Sequence, residues 1–170
     1  MQTGEMVLRI LLVGVGATLI MDAGALIRAR VFGIASLDYG LVGRWLGHML
    51  QGQFQHAAIV AAPRVRHERL TGWVFHYLTG IVFAMLLVGF KGVEWLNHPT
   101  LVPALATGLI SLMAPFFILQ PAFGFGFGIA ASKTAAPCVA RRRSVITHLT
   151  FGLGLFVAGW LVLLFYPAQA

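Results

Sequence analysis

The sequence predicts an all-α integral membrane protein with four transmembrane helices and an amphipathic interfacial helix in the first cytoplasmic loop. Of the 170 residues, 59% are hydrophobic and only 10% are charged, whereas a soluble domain carries about 25% charged residues. The apolar residues also gather into four long runs. Because an open strand edge would leave backbone groups unpaired in lipid, we expect each run to form a helix.

The four runs have the length that a membrane-spanning helix needs, about 20 residues for ~30 Å of hydrocarbon. They predict a single transmembrane domain over residues 1–170, with spans at about 6–27, 72–90, 101–120 and 145–166. The first run contains Ala-Gly-Ala, which is typical of a signal-peptide cleavage site. Because the run is long and no net positive charge precedes it, we expect this span to stay uncleaved.

The connections between the spans differ in charge, and this difference predicts the topology. The loop at 28–71 holds six arginines, and the loop at 132–144 holds Lys133 and three arginines without an acid. The short connection at 91–100 holds one lysine and one glutamate. By the positive-inside rule, the two basic loops lie in the cytoplasm and both termini lie outside it.

The formal net charge of +7 could also suit a nucleic-acid-binding protein. Most of the basic residues, however, flank apolar runs, which is the pattern of membrane topology. We therefore expect the lipid bilayer as the surrounding medium and no nucleic-acid partner. The single cysteine, Cys138, excludes an intramolecular disulfide and provides no metal-ligand spacing.

The first loop is too long to lack structure in a compact protein. A helix is predicted there, with Ser36 as its cap and a face that lies on the membrane surface. Arg44 and His48 fall off the apolar stripe of this helix. A further turn is expected before Pro63, and the helix of the second span is expected to start near Glu68. The stripe consists of Leu37, Leu41, Trp45 and Met49, with Leu46 and Leu50 beside it.

Proline and glycine are expected to interrupt the third span and its exit. Pro115 should kink the helix and free a carbonyl near Ser111. The Phe-Gly alternation at 123–128 predicts a Gly-rich helix end or an aromatic-lined turn. This stretch is not a phosphate loop, because Lys133 follows a serine rather than the glycine that the motif requires.

Each span carries one polar side chain near its cytoplasmic end: Asp22, His76, Gln120 and His148. Counted at about 1.5 Å per residue, the four groups lie at nearly one depth. Because a charge inside a spanning segment is costly, it marks a functional site by default. We predict a site that binds or translocates a small solute or ion, with Asp22 as its charged anchor and the two histidines as titratable partners. Possible accessory residues are Thr18, His48, His56 and Glu68.

Glycines accompany three of these polar groups at helical spacing. The spacing directs the polar side chain towards a neighbouring helix rather than towards lipid, because small residues let membrane helices approach closely. The patterns are Gly14–Thr18–Asp22, Gly72–His76–Gly80 and His148–Gly152.

Several alternatives stay open for the polar groups. Asp22 could serve only as an ion-pair partner of a loop arginine such as Arg28, and the histidines could bond only to backbone carbonyls or to serine. His76 and His148 are also the smallest ligand set that would hold a haem. No cofactor is otherwise predicted, and whether a metal ion binds is left unknown.

Two other classes of function compete with solute or ion binding. In the first, the chain is a non-catalytic membrane subunit or assembly partner that packs against another protein through its Gly-rich helix faces. In the second, it is a membrane enzyme that acts on a lipid-like substrate by acid–base or metal-assisted chemistry, so enzyme activity is left undecided. Since four spans form a slender pore at best, a transporter is expected to be a homodimer.

Distinctive stretches cover nearly the whole chain. They are GATLIMD at 16–22, LDYGLVGRWLGH at 37–48, GWVFHYLTG at 72–80, LVPAL at 101–105, APFFILQPAFGFG at 114–126 and HLTFGLGL at 148–155. Together they resemble a bacterial inner-membrane family, the domain of unknown function 2938, although the Phe-Gly alternation at 123–128 departs from it. The resemblance implies a four-span inner-membrane protein, and implies no activity and no catalytic residues. In such a membrane, the orientation predicted from the basic loops makes both termini periplasmic.

Overall fold

A computed structural model describes residues 2–127 and 137–167 of the chain. No strand occurs among these residues, and four helices are long and apolar enough to cross a membrane. The predicted all-α class with four spans is therefore confirmed. The structure places the spans at Thr3–Phe32, Glu68–Lys91, Leu101–Phe123 and Cys138–Phe165. The last residue of the Phe-Gly alternation and Lys133 lie outside the described residues.

The α-helices of the described chain are α1 (Thr3–Phe32), α2 (Tyr39–Met49), α3 (Glu68–Lys91), α4 (Leu101–Ile110), α5 (Gln120–Phe123) and α6 (Pro137–Phe165). Short 3-10 turns lie at Ile59–Ala61 and Val93–Leu96.

The first helix, α1, extends beyond the predicted span at both ends. The apolar run ends at Ile27, but α1 continues for another turn through Arg28 and Arg30. Positive charge is favourable at this end, because the carbonyl groups of the last turn give a helix C-terminus partial negative charge. Gly33 then ends the helix in the left-handed conformation, with φ of 65°.

The third span is interrupted in its middle, close to Pro115. After α4 ends at Ile110, the backbone turns and continues as a π-helix over Ala114–Leu119. Proline lacks the N–H that an α-helix needs at this point, and a π-helical turn accommodates the missing bond. The α-helix resumes as α5 and ends at Phe123, followed by the capping residue Gly124, which has φ of 82°. The Phe-Gly stretch thus begins as a helix end followed by a turn.

The chain divides into two compact units. Unit 1 comprises Met1–Ser36, Tyr77–Ser111 and Ile146–Ala170, and unit 2 comprises Leu37–His76 and Leu112–Val145.

In unit 1, glycines bring the backbones of the spanning helices into contact. A Cβ added at Gly14 would lie 2.6 Å from the Cα of Ile81, and one added at Gly108 would lie 2.5 Å from the carbonyl oxygen of His148. Membrane helices commonly pack in this way, with small residues that let their backbones approach closely. The buried core around these contacts includes Val13, Ala17, Leu87, Phe151, Leu155 and Ala158.

In unit 2, α2 packs closely on the first turns of α3. A Cβ at Gly43 would lie 1.7 Å from the carbonyl oxygen of Glu68, and one at Gly72 would lie 1.7 Å from the carbonyl oxygen of Tyr39. The predicted start of α3 at Glu68 is confirmed. The apolar core of this unit contains Val42, Trp45, Ile59, Ala122 and Phe123.

Helix α2 differs from its prediction in its cap and in its buried face. The cap is Asp38, whose carboxylate accepts a hydrogen bond from the Gly40 N–H at 2.8 Å, so the prediction of Ser36 is wrong. Arg44 and His48, which fall off the apolar stripe, are buried together with Trp45 of the stripe, whereas Leu50, beside the stripe and just after the end of α2, is 92% exposed. The polar side chains can be buried because their polar atoms find partners inside the unit. The position of α2 at the membrane surface stays a prediction.

Candidate functional site

Asp22 lies half-buried on α1 and is bonded to a second spanning helix. The hydroxyl of Tyr77 on α3 donates to its Oδ2 atom at 3.1 Å, inside unit 1. Sequence reasoning identified Asp22 but missed Tyr77, which stands directly after the predicted His76. The acid therefore has a hydroxyl partner on a neighbouring helix.

His148 on α6 is bonded in the same manner to the third span. Its Nδ1 atom lies 2.6 Å from the hydroxyl oxygen of Ser111, which also donates to the carbonyl oxygen of Gly108 at 2.6 Å. A serine hydroxyl has one proton, and Ser111 donates it to Gly108. The proton in the hydrogen bond between Ser111 and His148 must therefore be on Nδ1 of His148. In the neutral imidazole, Nε2 is then the acceptor nitrogen.

Arg28 does not form the ion pair with Asp22 that was the main alternative for the acid. Its guanidinium instead donates to the hydroxyl oxygens of Thr147, at 3.0 Å, and Thr150, at 3.4 Å, on α6. Arg28 takes part in neither the Arg9–Glu5 nor the Arg44–Glu68 ion pair.

The other two predicted site residues, His76 and Gln120, belong to unit 2. The ring of His76 stacks on Tyr39 with centroids 4.1 Å apart and meets Trp73 edge-on at 5.8 Å. Gln120 opens α5, and its buried Oε1 atom has no hydrogen-bond partner among the described residues. The predicted set is therefore divided, with Asp22 and His148 in unit 1.

His48 and His56, predicted as accessory residues, form a buried pair in unit 2. Nδ1 of His48 lies 2.7 Å from Nε2 of His56, and the rings stack with centroids 4.9 Å apart. The backbone N–H of His56 donates to the carbonyl oxygen of Ala122 at 2.9 Å, which fixes the loop that carries it. Nδ1 of His56 is buried and has no partner among the described residues.

Glu68, another accessory prediction, holds Arg44 in a two-pronged ion pair. The guanidinium donates to both carboxylate oxygens, at 2.8 and 2.9 Å, and also to the carbonyl oxygens of the 59–62 turn. The hydrogen bond with Glu68 raises the pKa of Arg44 above its usual value, so the pair stays charged. Both residues thereby serve the packing of α2 on α3.

Thr18, the remaining accessory prediction, is fully buried at the contact between α1 and α3. Its hydroxyl donates to the carbonyl oxygen of Gly14 at 2.8 Å, and a Cβ at Gly80 would lie 2.0 Å from that hydroxyl oxygen. The side chain thus fills the space that the glycine leaves.

Sequence reasoning missed Arg9, which is 1% exposed near the start of α1. Its guanidinium donates to Glu5 at 2.5 Å, to the side-chain oxygen of Asn97 at 3.2 Å and to the carbonyl oxygen of Pro167 at 3.3 Å. It joins three separate segments of unit 1. The sequence did contain a signal for this contact, because Glu5 stands four residues before Arg9 in an otherwise apolar run, and this spacing lets the two side chains pair on a helix.

No three His, Cys, Asp or Glu side chains of the described chain are grouped so that they could hold a metal ion. Cys138 is exposed. The described residues therefore offer hydrogen-bonded polar pairs rather than a ligand cage.

Comparison with known proteins identifies a family but no activity. The profile of a family described as protein of unknown function (DUF2938) matches residues 11–162. No curated protein and no solved structure matches the chain. Since the match covers most of the 170 residues, the chain belongs to the DUF2938 family.

Proposed function

We propose that this membrane protein binds and translocates a small solute or ion, and that Asp22 and His148 change protonation during the process. One observation carries the proposal. Two ionisable side chains on spanning helices are each bonded to a hydroxyl on another spanning helix, Tyr77 at 3.1 Å and Ser111 at 2.6 Å. Ionisable residues that face the interior of a helix bundle are typical of ion pathways and proton relays.

The type of partner supports a change in protonation. A hydroxyl can donate to a carboxylate or accept from a carboxylic acid, so Asp22 keeps a hydrogen bond to Tyr77 in either state. The same reasoning applies to His148, because the hydroxyl of Ser111 can bond either a neutral or a charged imidazole.

The alternative function, an assembly subunit that packs through Gly-rich faces, is less well supported. The glycines of those faces contact other segments of unit 1: Gly14 lies against Ile81, Gly152 against Leu105, and Gly154 against Ala17. Faces occupied inside the chain are not available to a second protein.

The proposal includes location in a bacterial inner membrane, periplasmic termini and a homodimer. The basic loops support this orientation, and the general expectation that four spans form a slender pore at best supports the dimer. Fusions of alkaline phosphatase and of green fluorescent protein to the C-terminus report the side of the membrane. We expect an active phosphatase and a dark fluorescent protein, and the reverse pattern would contradict the topology.

Proton flux into reconstituted vesicles tests the proposed translocation. The purified protein is placed in liposomes that contain a pH-sensitive dye, and an acid pulse is applied with the membrane potential clamped. We expect the wild-type protein to acidify the interior faster than protein-free liposomes do. Asp22→Asn removes the titratable group and should reduce the rate to that of protein-free liposomes.

Glu94→Gln is the matched control, because it also removes one carboxylate, but that of an exposed side chain in the turn at Val93–Leu96. It should keep the wild-type rate. Equal yields and elution volumes would show that both variants fold. A wild-type rate equal to that of protein-free liposomes, or an unchanged rate in Asp22→Asn, would contradict the proposal.

A further inference from the structure

Arg28 is held against α6 by two hydroxyl groups that do not neutralise it. The Thr150 hydroxyl donates its own proton to the carbonyl oxygen of Ile146 at 2.8 Å, so it accepts from Arg28. Thr147 accepts from the other terminal nitrogen at 3.0 Å. Gly24, one turn before Arg28, would have a Cβ only 3.0 Å from the Thr150 methyl group, so the two helices lie close at this point.

The charge of Arg28 lacks the compensation that two other inward-facing arginines have. Arg9 pairs with Glu5 and Arg44 pairs with Glu68, whereas Arg28 forms no ion pair with any described residue. A guanidinium has five N–H donors, so the two threonine bonds leave the others available to a ligand. A half-buried guanidinium in this state favours an anion with several acceptor oxygens, such as a phosphate group.

The surroundings of Arg28 select a phospholipid rather than a soluble anion. Arg28 directly follows the apolar run of α1, where a helix that spans ~30 Å of hydrocarbon reaches the headgroup level. The neighbouring surface of α1 is apolar and open, as acyl chains require. Its members are Leu26, Ile27, Val31 and Phe32, which are 52–68% exposed.

We propose that Arg28, held by Thr147 and Thr150, binds the phosphodiester of an anionic phospholipid at the end of α1. Two phosphate oxygens accept parallel hydrogen bonds from the guanidinium, and the acyl chains cover the exposed apolar flank of α1. The site does not depend on the orientation of the chain, because both leaflets present phosphate groups at this depth. It is also independent of solute translocation.

Native mass spectrometry of the purified protein tests the site. Phosphatidylglycerol, phosphatidylcholine or inorganic phosphate is added in detergent, and the fraction of protein with bound ligand is measured. Arg30→Gln is a matched control for Arg28→Gln, because Arg30 is exposed and forms no bond with any described residue. Both variants remove one positive charge from the last turns of α1.

We expect phosphatidylglycerol to bind Arg28→Gln at least about tenfold more weakly than wild type, since a charge-assisted pair of bonds is lost. Arg30→Gln should bind as wild type does. Arg28→Lys, which keeps the charge without the planar fork, should be intermediate and serves if Arg28→Gln does not fold.

Four results would overturn the proposal. Equal binding by wild type and both Arg28 variants would remove Arg28 from the site. An equal loss in Arg30→Gln would indicate general charge attraction. Displacement of phosphatidylglycerol by inorganic phosphate, or equal binding of phosphatidylcholine, would show that the group recognised is not an anionic phospholipid.

Discussion

At the scale of the residue, the acids of this chain show why Asp22 is distinctive. The sequence has five acids against twelve basic residues. Glu5 and Glu68 pair with arginines, Asp38 caps α2, and Glu94 is exposed. Asp22 lies well inside α1 and accepts a hydrogen bond from the hydroxyl of Tyr77. This hydrogen bond between two spanning helices is the observation on which the proposed function rests.

The buried pair of Arg44 and Glu68 predicts that the stability of unit 2 depends strongly on the planar shape of the guanidinium group. Arg44→Lys keeps the charge but cannot bond both carboxylate oxygens and the carbonyl groups of the 59–62 turn at once. Since breaking a buried pair costs about 3–5 kcal/mol, we expect a loss of about 2 kcal/mol or more. The measurement is thermal unfolding in detergent.

Arg66→Lys is the control for this change, because Arg66 is exposed and forms no bond with any described residue. Its midpoint of unfolding should equal that of wild type. If Arg44→Lys and Arg66→Lys unfolded at the same temperature, the ion pair would contribute nothing to unit 2.

At the scale of the element, the sequence predicted the spanning helices well because hydrocarbon permits few structures. It also predicted the interruption near Pro115, because the effect of a proline on a helix depends only on the residues around it. It did not predict that Arg44 and His48 of α2 are buried, because an apolar stripe does not reveal where an arginine finds a carboxylate. The cap is Asp38, two residues after the predicted Ser36. Both residue types are good helix caps, so the sequence alone does not decide between them.

The contact between α2 and α3 predicts that replacing Gly72 of α3 destabilises the protein, whereas replacing Gly89 of the same helix does not. Gly72→Ala would place a Cβ 1.7 Å from the carbonyl oxygen of Tyr39, so the helices must separate. Overpacking of this kind costs about 1–3 kcal/mol. Gly89 lies on the same helix, and a Cβ there would meet nothing within 4 Å.

Thermal unfolding of the two alanine variants checks this prediction. Gly72→Ala should unfold at a clearly lower temperature than wild type, and Gly89→Ala should match or slightly exceed wild type, because alanine reduces the freedom of the unfolded chain. Equal midpoints for Gly72→Ala and wild type would show that α2 does not rest on α3 at this point.

At the scale of the whole molecule, the candidate site was only partly predictable. Sequence reasoning selected Asp22 and His148 because a polar group in an apolar run is visible in one dimension. It could not select their partners Tyr77 and Ser111, because those depend on which helices are neighbours and how each is rotated. The hydroxyl of Tyr77 is the partner that ties the acid to a neighbouring helix, and the sequence contained no sign of it.

The central claim is that Asp22 gains and loses a proton inside the membrane. Infrared difference spectra of the reconstituted protein between neutral and acidic pH measure this event through the carbonyl stretch of a protonated carboxyl group. We expect this band in the wild type, its loss in Asp22→Asn, and a shift in Tyr77→Phe, which removes the hydrogen bond. Asp38→Asn, outside the spans, should retain the band. A band that persists unchanged in Asp22→Asn would contradict the account.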